Sequence, residues 1–60
     1  MERMIEAINS GDRDIFADNL AEYESFTDWL TANGADFVYH FEAGEAYQYK
    51  GRIIEVWGYA

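Results

Sequence analysis

Sixty residues with 12 acidic and 4 basic side chains give a formal net charge of -8, and the absence of cysteine removes both a disulfide scaffold and a cysteine zinc site. Arg3, Arg13, Lys50 and Arg52 are spread along the chain rather than gathered on one element, so a direct grip on nucleic acid phosphates is excluded. No run approaches the roughly 18 apolar residues of a membrane span. Met1 to Glu6 carries two acids where a signal peptide would be basic and then apolar, so a cytoplasmic address is expected.

A chain of this length predicts one small α+β domain over 1–60, whose core only narrowly outweighs the entropy of ordering it. In residues 2–9, Met4, Ile5 and Ile8 recur at helical spacing, which predicts a short helix ending at Asn9-Ser10-Gly11. From Asp12 to Asn33 the series Phe16, Leu20, Tyr23, Phe26 and Leu30 steps by four, three, three and four. That spacing predicts one long helix with Ser10 or Asp12 at its start and Asn33-Gly34 at its end. Ser25-Phe26-Thr27-Asp28 resembles a capping box, which would kink or restart the helix near Glu24.

After Gly34 the period falls to two. Phe37, Tyr39 and Phe41, then Tyr47 and Tyr49, then Ile54 and Val56 each alternate with other residues, with Ala43-Gly44 and Lys50-Gly51 placed as tight turns. The expected architecture is two helices packed on one face of a three-stranded antiparallel sheet. Its last strand, reaching Tyr59, is expected to leave a free edge for a second copy.

Chemistry-bearing residues are sparse. His40 is the only histidine, and a serine nucleophile would require it beside Ser10 or Ser25. A strand position between Tyr39 and Phe41 reads more simply as sheet surface, and no enzymatic activity is expected. Asn9 to Asp14 offers oxygen ligands without calcium-loop spacing, and the glycines stand singly rather than in a phosphate-binding loop, so neither a metal nor a cofactor is expected. A ligand pocket of roughly 300 Å³ is expected to consume most of so small a core.

The acids say more. On a helical wheel Asp14, Asp18, Glu22 and Asp28 fall within a sector about 120° wide, opposite the apolar stripe. Carboxylates at i,i+4 lie about 6 Å apart along the axis, close to the roughly 6.8 Å of two nucleotide steps. Such a ridge would imitate a row of phosphates; the plain alternative is a solvated acidic face. Trp29 falls on the same side as an interface anchor, or turns inward if the helix breaks at Ser25. With eleven aromatics and only one sheet face that the helices can cover, Tyr47, Tyr49 and Trp57 are further contact candidates.

The combination predicts a non-enzymatic binding protein that uses Asp14, Asp18, Glu22 and Asp28, with Trp29, Tyr47, Tyr49 and Trp57, to occupy a basic, nucleic-acid-binding surface of a partner protein. In size, acidity and lack of cysteine the chain resembles a general type, the phage-encoded inhibitors of host nucleases, restriction systems, CRISPR effectors or polymerases. Two alternatives stay open. One is a homo-oligomeric module pairing through its sheet edge or aromatic face, and the other is a surface adapted to high salt.

Overall fold

The computed structural model describes residues 1–58 as α1 (Glu2–Asn9), β1 (Asp14–Phe16), α2 (Leu20–Ala32), β2 (Asp36–Phe41), β3 (Gly44–Tyr49) and β4 (Arg52–Trp57). The fold is α+β with two helices, as the sequence implies. The antiparallel meander β2–β3–β4 also forms, but a fourth strand joins it: the sheet order is β1-β4-β3-β2, with β1 parallel to β4. The expected three-stranded antiparallel sheet is therefore corrected to a four-stranded mixed one.

The added strand comes from the segment assigned above to the long helix. Ile15 and Ala17 are buried while Asp14, Phe16 and Asp18 are exposed, a period of two that serves a strand. Its backbone is tied to β4, with the Ala17 N–H donating to the Trp57 carbonyl and the Glu55 N–H to the Arg13 carbonyl, each at 2.9 Å. The helix starts at Asn19 rather than at Ser10, Asp12 or Ser25. The Asn19 side chain accepts the Glu22 N–H at 2.8 Å, which satisfies a donor of the first turn. From there α2 runs unbroken through Ser25 to Ala32, and Thr27 donates its hydroxyl back to the Tyr23 carbonyl instead of capping a second helix.

Both helices stop as their sequences specify. Past α2, Gly34 takes φ +89°, its N–H reaches the Thr31 carbonyl, and the Ala35 N–H reaches the Leu30 carbonyl. These are the two bonds of a Schellman stop, which a side chain would strain. Gly11 closes α1 in the same way, and Arg52 adds hydrogen bonds to the Ile8 and Asp12 carbonyls, a cation at a helix C-terminus.

The two helices meet the sheet on one face. Met4 and Ile8 of α1, Phe26 and Leu30 of α2, and Ile15, Ile54, Val56, Tyr47 and Tyr49 of the strands form one cluster. β4 lies at its centre, paired on both sides, so the free edge expected at the last strand is corrected: the sheet edges are β1 and β2. Tyr59 lies outside the described residues. The β2–β3 turn is Glu42-Ala43 rather than Ala43-Gly44, and Gly44 opens β3. A Cβ there would collide with the Val56 carbonyl oxygen and lie 3.1 Å from the Trp57 Cα, both backbone atoms. Gly44→Ala is accordingly expected to lower stability by about 1–3 kcal/mol, read as a lower urea midpoint, because the sheet backbone must move to admit the methyl group. An unchanged midpoint would contradict this packing.

Candidate protein interface and acidic cleft

Side-chain alternation sends half of the sheet residues to the face that carries no helix. Across the strands, Phe16 stands beside Trp57, whose ring meets Phe41 edge-on at 4.9 Å between centroids. Gly44 lies between Trp57 and Phe41 in the register, so no side chain separates the two rings. In the next row Tyr39 reaches over buried Ala46 and donates its hydroxyl to Glu55 at 2.6 Å, and Arg13 pairs with the same Glu55 oxygen at 3.3 Å. The Trp57 indole N–H points to Asp14 at 3.4 Å. The outcome is an aromatic strip, Phe16, Trp57, Phe41 and Tyr39, bordered by carboxylates, with Phe16 56% and Tyr39 39% exposed. Covering the exposed part of Phe16 would recover about 2 kcal/mol.

The proposed acidic ridge does not exist as one helix face. Asp14 lies on β1, on the open side of the sheet, and Asp18 lies in the loop before α2. Glu22 is half-buried at the start of α2, where it accepts the Asp18 N–H at 2.8 Å and pairs with Arg3 at 2.9 Å and with the Met1 amino group at 3.4 Å. The Asp18 N–H and these cations hold its carboxyl below the usual range. Only Asp28 keeps the exposed helical position expected of it, one turn from exposed Glu24. The regular phosphate-like spacing is lost because the helix begins at Leu20.

The aromatic candidates divide. Trp57 belongs to the open strip. Tyr47 and Tyr49 are 7% and 6% exposed and serve the core, because their strand positions face the helices. Trp29 is half-buried, stacked on Phe26 at 5.8 Å and tilted against Tyr49 at 5.9 Å, so it flanks the core rather than standing out as an anchor. It turns inward without any break at Ser25, because Glu22, on the same side of α2, is itself half-buried and that side of the helix is not the exposed one. Phe16, Tyr39 and Phe41 were missing from the candidate set. Assigning Phe16 to a helix stripe concealed it, whereas the alternation of Tyr39 and Phe41 placed them on one sheet face without showing which face stays open.

A second feature opens at the end of α2 nearest the β2–β3 turn. A shallow cleft of about 500 Å³ is lined by Leu20, Tyr23, His40, Phe41, Glu42 and Glu45, together with turn backbone. It is an open hollow beside the core cluster rather than an enclosed pocket within it. Glu45 stands opposite His40 in the β2–β3 register. Its Oε1 accepts the Tyr23 hydroxyl at 3.0 Å and the Tyr47 hydroxyl at 3.1 Å. Burial, then the bond to Glu45, pushes the Tyr47 hydroxyl up to about 12 and raises that of Tyr23 as well. His40 makes no hydrogen bond with Ser10 at the end of α1 or with Ser25 on exposed α2, so no nucleophile and base are brought together among the described residues. Nor do three or more of the described histidine and acidic side chains gather where they could hold a metal ion, and no described helix is long and apolar enough to cross a membrane.

Comparison with protein-family models, with curated proteins and with solved structures finds no match to this chain.

Because Tyr23 and Tyr47 keep their protons in the fold to higher pH than in the unfolded chain, the folded state holds more protons above pH ~10. Their contribution is complete below that pH and is lost as pH rises through the folded values. Unfolding free energy is expected to fall with pH from about 10 upward, and ultraviolet difference spectra should show tyrosines, Tyr23 and Tyr47 among them, that ionise only with unfolding. Ionisation of every tyrosine near pH ~10 in the folded protein would contradict the Glu45 cluster.

Proposed function

We propose that this protein is a non-enzymatic binding protein that occupies a basic surface of a partner protein, of the kind that otherwise holds nucleic acid phosphates. The observation that carries the reading is the internal use of positive charge. Arg3 pairs with Glu22 and Asp18, Arg13 pairs with Glu55, Arg52 caps α1, and Lys50 lies 5.3 Å over the Tyr49 ring. Nine of the 12 acids stay exposed, and no lysine or arginine occurs between Arg13 and Lys50 to offset those on α2 and the β2–β3 turn. An object with so one-sided a surface field is steered to basic partners and competes with phosphate for them.

The contact surface in this reading is the open aromatic strip with Asp14 beside it, while Asp18, Asp28 and the other exposed acids add to the field that steers a partner. The apolar strip gives short-range affinity and the acids give rate and selectivity. Absence of cysteine fits a reducing compartment such as the cytoplasm. An inhibitor that imitates phosphate, like the phage-encoded type, has this combination of traits.

The second reading, a self-associating module, is favoured by one observation. β2 is an edge strand whose Phe37, Val38 and Tyr39 are all exposed. Its register shift between Phe37 and Tyr39 opposes that reading, since an irregular edge pairs poorly with another strand.

The test is capture of partners on the immobilised protein at low and moderate salt, with Phe16→Ser and Asp14→Asn combined as the variant. The expected result is a nucleic-acid-binding protein released by salt and by duplex DNA, and captured at least tenfold less by the variant, whose exposed positions leave the fold intact. A monomer on sedimentation that captures nothing, or a capture indifferent to salt and to the variant, would contradict the reading. Concentration-dependent dimerisation with no other partner would favour self-association.

A further inference from the structure

We infer that the cleft between the start of α2 and the β2–β3 turn is a socket for a guanidinium group, the arginine side chain through which the partner's basic surface is anchored. The inference deepens the binding reading and rests on it for the identity of the occupant. Three features of the cleft define the ligand. Its volume, about 500 Å³, falls within the ~300–1,000 Å³ of small-ligand clefts, with room for an arginine head and its stem. Its walls include the apolar Leu20 and the aromatic Tyr23, surfaces on which a planar cation and its methylene stem both pack. Its charge is negative and unpaired: neither Glu42 nor Glu45 forms an ion pair among the described residues, and each of the chain's four cations is engaged elsewhere.

The posture of Glu45 is the most specific of these observations. Two tyrosine hydroxyls converge on Oε1, which fixes the carboxylate, while Oε2 has no hydrogen-bond partner among the described residues. Among the described residues no half-buried side chain holds a buried polar atom without a partner, so Oε2 keeps some solvent contact. A carboxylate held by two donors with its second oxygen free is preorganised to receive an external N–H donor. Preorganisation removes the rotamer cost that a mobile surface glutamate would incur on binding. Guanidinium suits the site better than ammonium because its planar fork bonds a carboxylate and stacks on aromatic rings together, whereas a strongly hydrated ammonium gains less from these walls.

The experiment is a titration of the isotope-labelled protein with N-acetyl-arginine amide, followed by the backbone amide resonances of Tyr23, Phe41, Glu42, Gly44 and Glu45. N-acetyl-citrulline amide serves as the uncharged isostere and putrescine as a free amine. The expected result is saturable shifts confined to these amides with arginine amide, at least tenfold weaker binding of citrulline amide and of putrescine, and at least tenfold weaker arginine binding in Glu45→Gln. Glutamine retains an oxygen that accepts from both tyrosines, so this variant keeps the local fold. Glu42→Gln gives a second charge-removed protein should Glu45→Gln unfold. Equal binding of citrulline amide, stronger binding of putrescine, shifts elsewhere on the protein, or no shift at all would each overturn the assignment. Loss of macromolecular capture with the arginine shifts intact would instead sink the broader reading and leave the socket standing.

Discussion

The structure depends on β4 being an inner strand. Ile54 and Val56 are wholly buried because β3 and β1 flank them within the sheet and both helices contribute to the cluster above. Two helices of 8 and 13 residues supply enough apolar side chain to cover one side of four strands and no more. The opposite side is consequently left to Phe16, Trp57, Phe41 and Tyr39, so the open strip follows from the small size of the chain. These rings keep partial order by packing on one another and by the bonds from Tyr39 to Glu55 and from Trp57 to Asp14.

Electrostatics divides the molecule in a comparable way. The partly buried acids Glu22, Glu45 and Glu55 each have partners: a backbone N–H and Arg3, two tyrosines, and Arg13 with Tyr39. They hold local structure together. The exposed acids have at most a long contact such as Asp18 with Arg3 at 3.5 Å, and exposed pairs of that kind contribute little to stability. Their combined field is available to a partner, at the cost of self-repulsion that a 60-residue core must tolerate.

Much of the fold was legible in the residues. α1 occupies 2–9, the Asn33-Gly34 stop works as its composition implies, and the meander follows the alternation from Phe37 onward. The segment 12–19 misled for a definite reason. Phe16 and Leu20 sit four apart and extend the helical series of Tyr23, Phe26 and Leu30, yet both are exposed, and Ile15 is the buried residue. Asn19 with Glu22 three residues later was the available signal for the true helix start, and it was outweighed by the longer apolar series. The site suffered accordingly. Asp14, Asp18 and Glu22 were aligned by a helix that does not reach them, and Tyr47 and Tyr49 could not be told from exposed strand tyrosines without knowing which face the helices cover. The Glu45 cluster joins Glu45 and Tyr47 of β3 to Tyr23 of α2, and the contact between residues 23 and 45 exists only once the helix lies against the sheet.

The account's central claim is that a partner seats on the open face of the sheet, steered by the surrounding acids. The most direct measurement is the amide hydrogen-exchange and chemical-shift footprint of the protein in complex with a partner. Protection and shifts at Asp14, Phe16, Tyr39, Phe41 and Trp57, with the outward side of α2 at Glu24 and Ser25 unchanged, is the predicted result. A footprint centred on α2 with the aromatic strip still exchanging as in the free protein would contradict it.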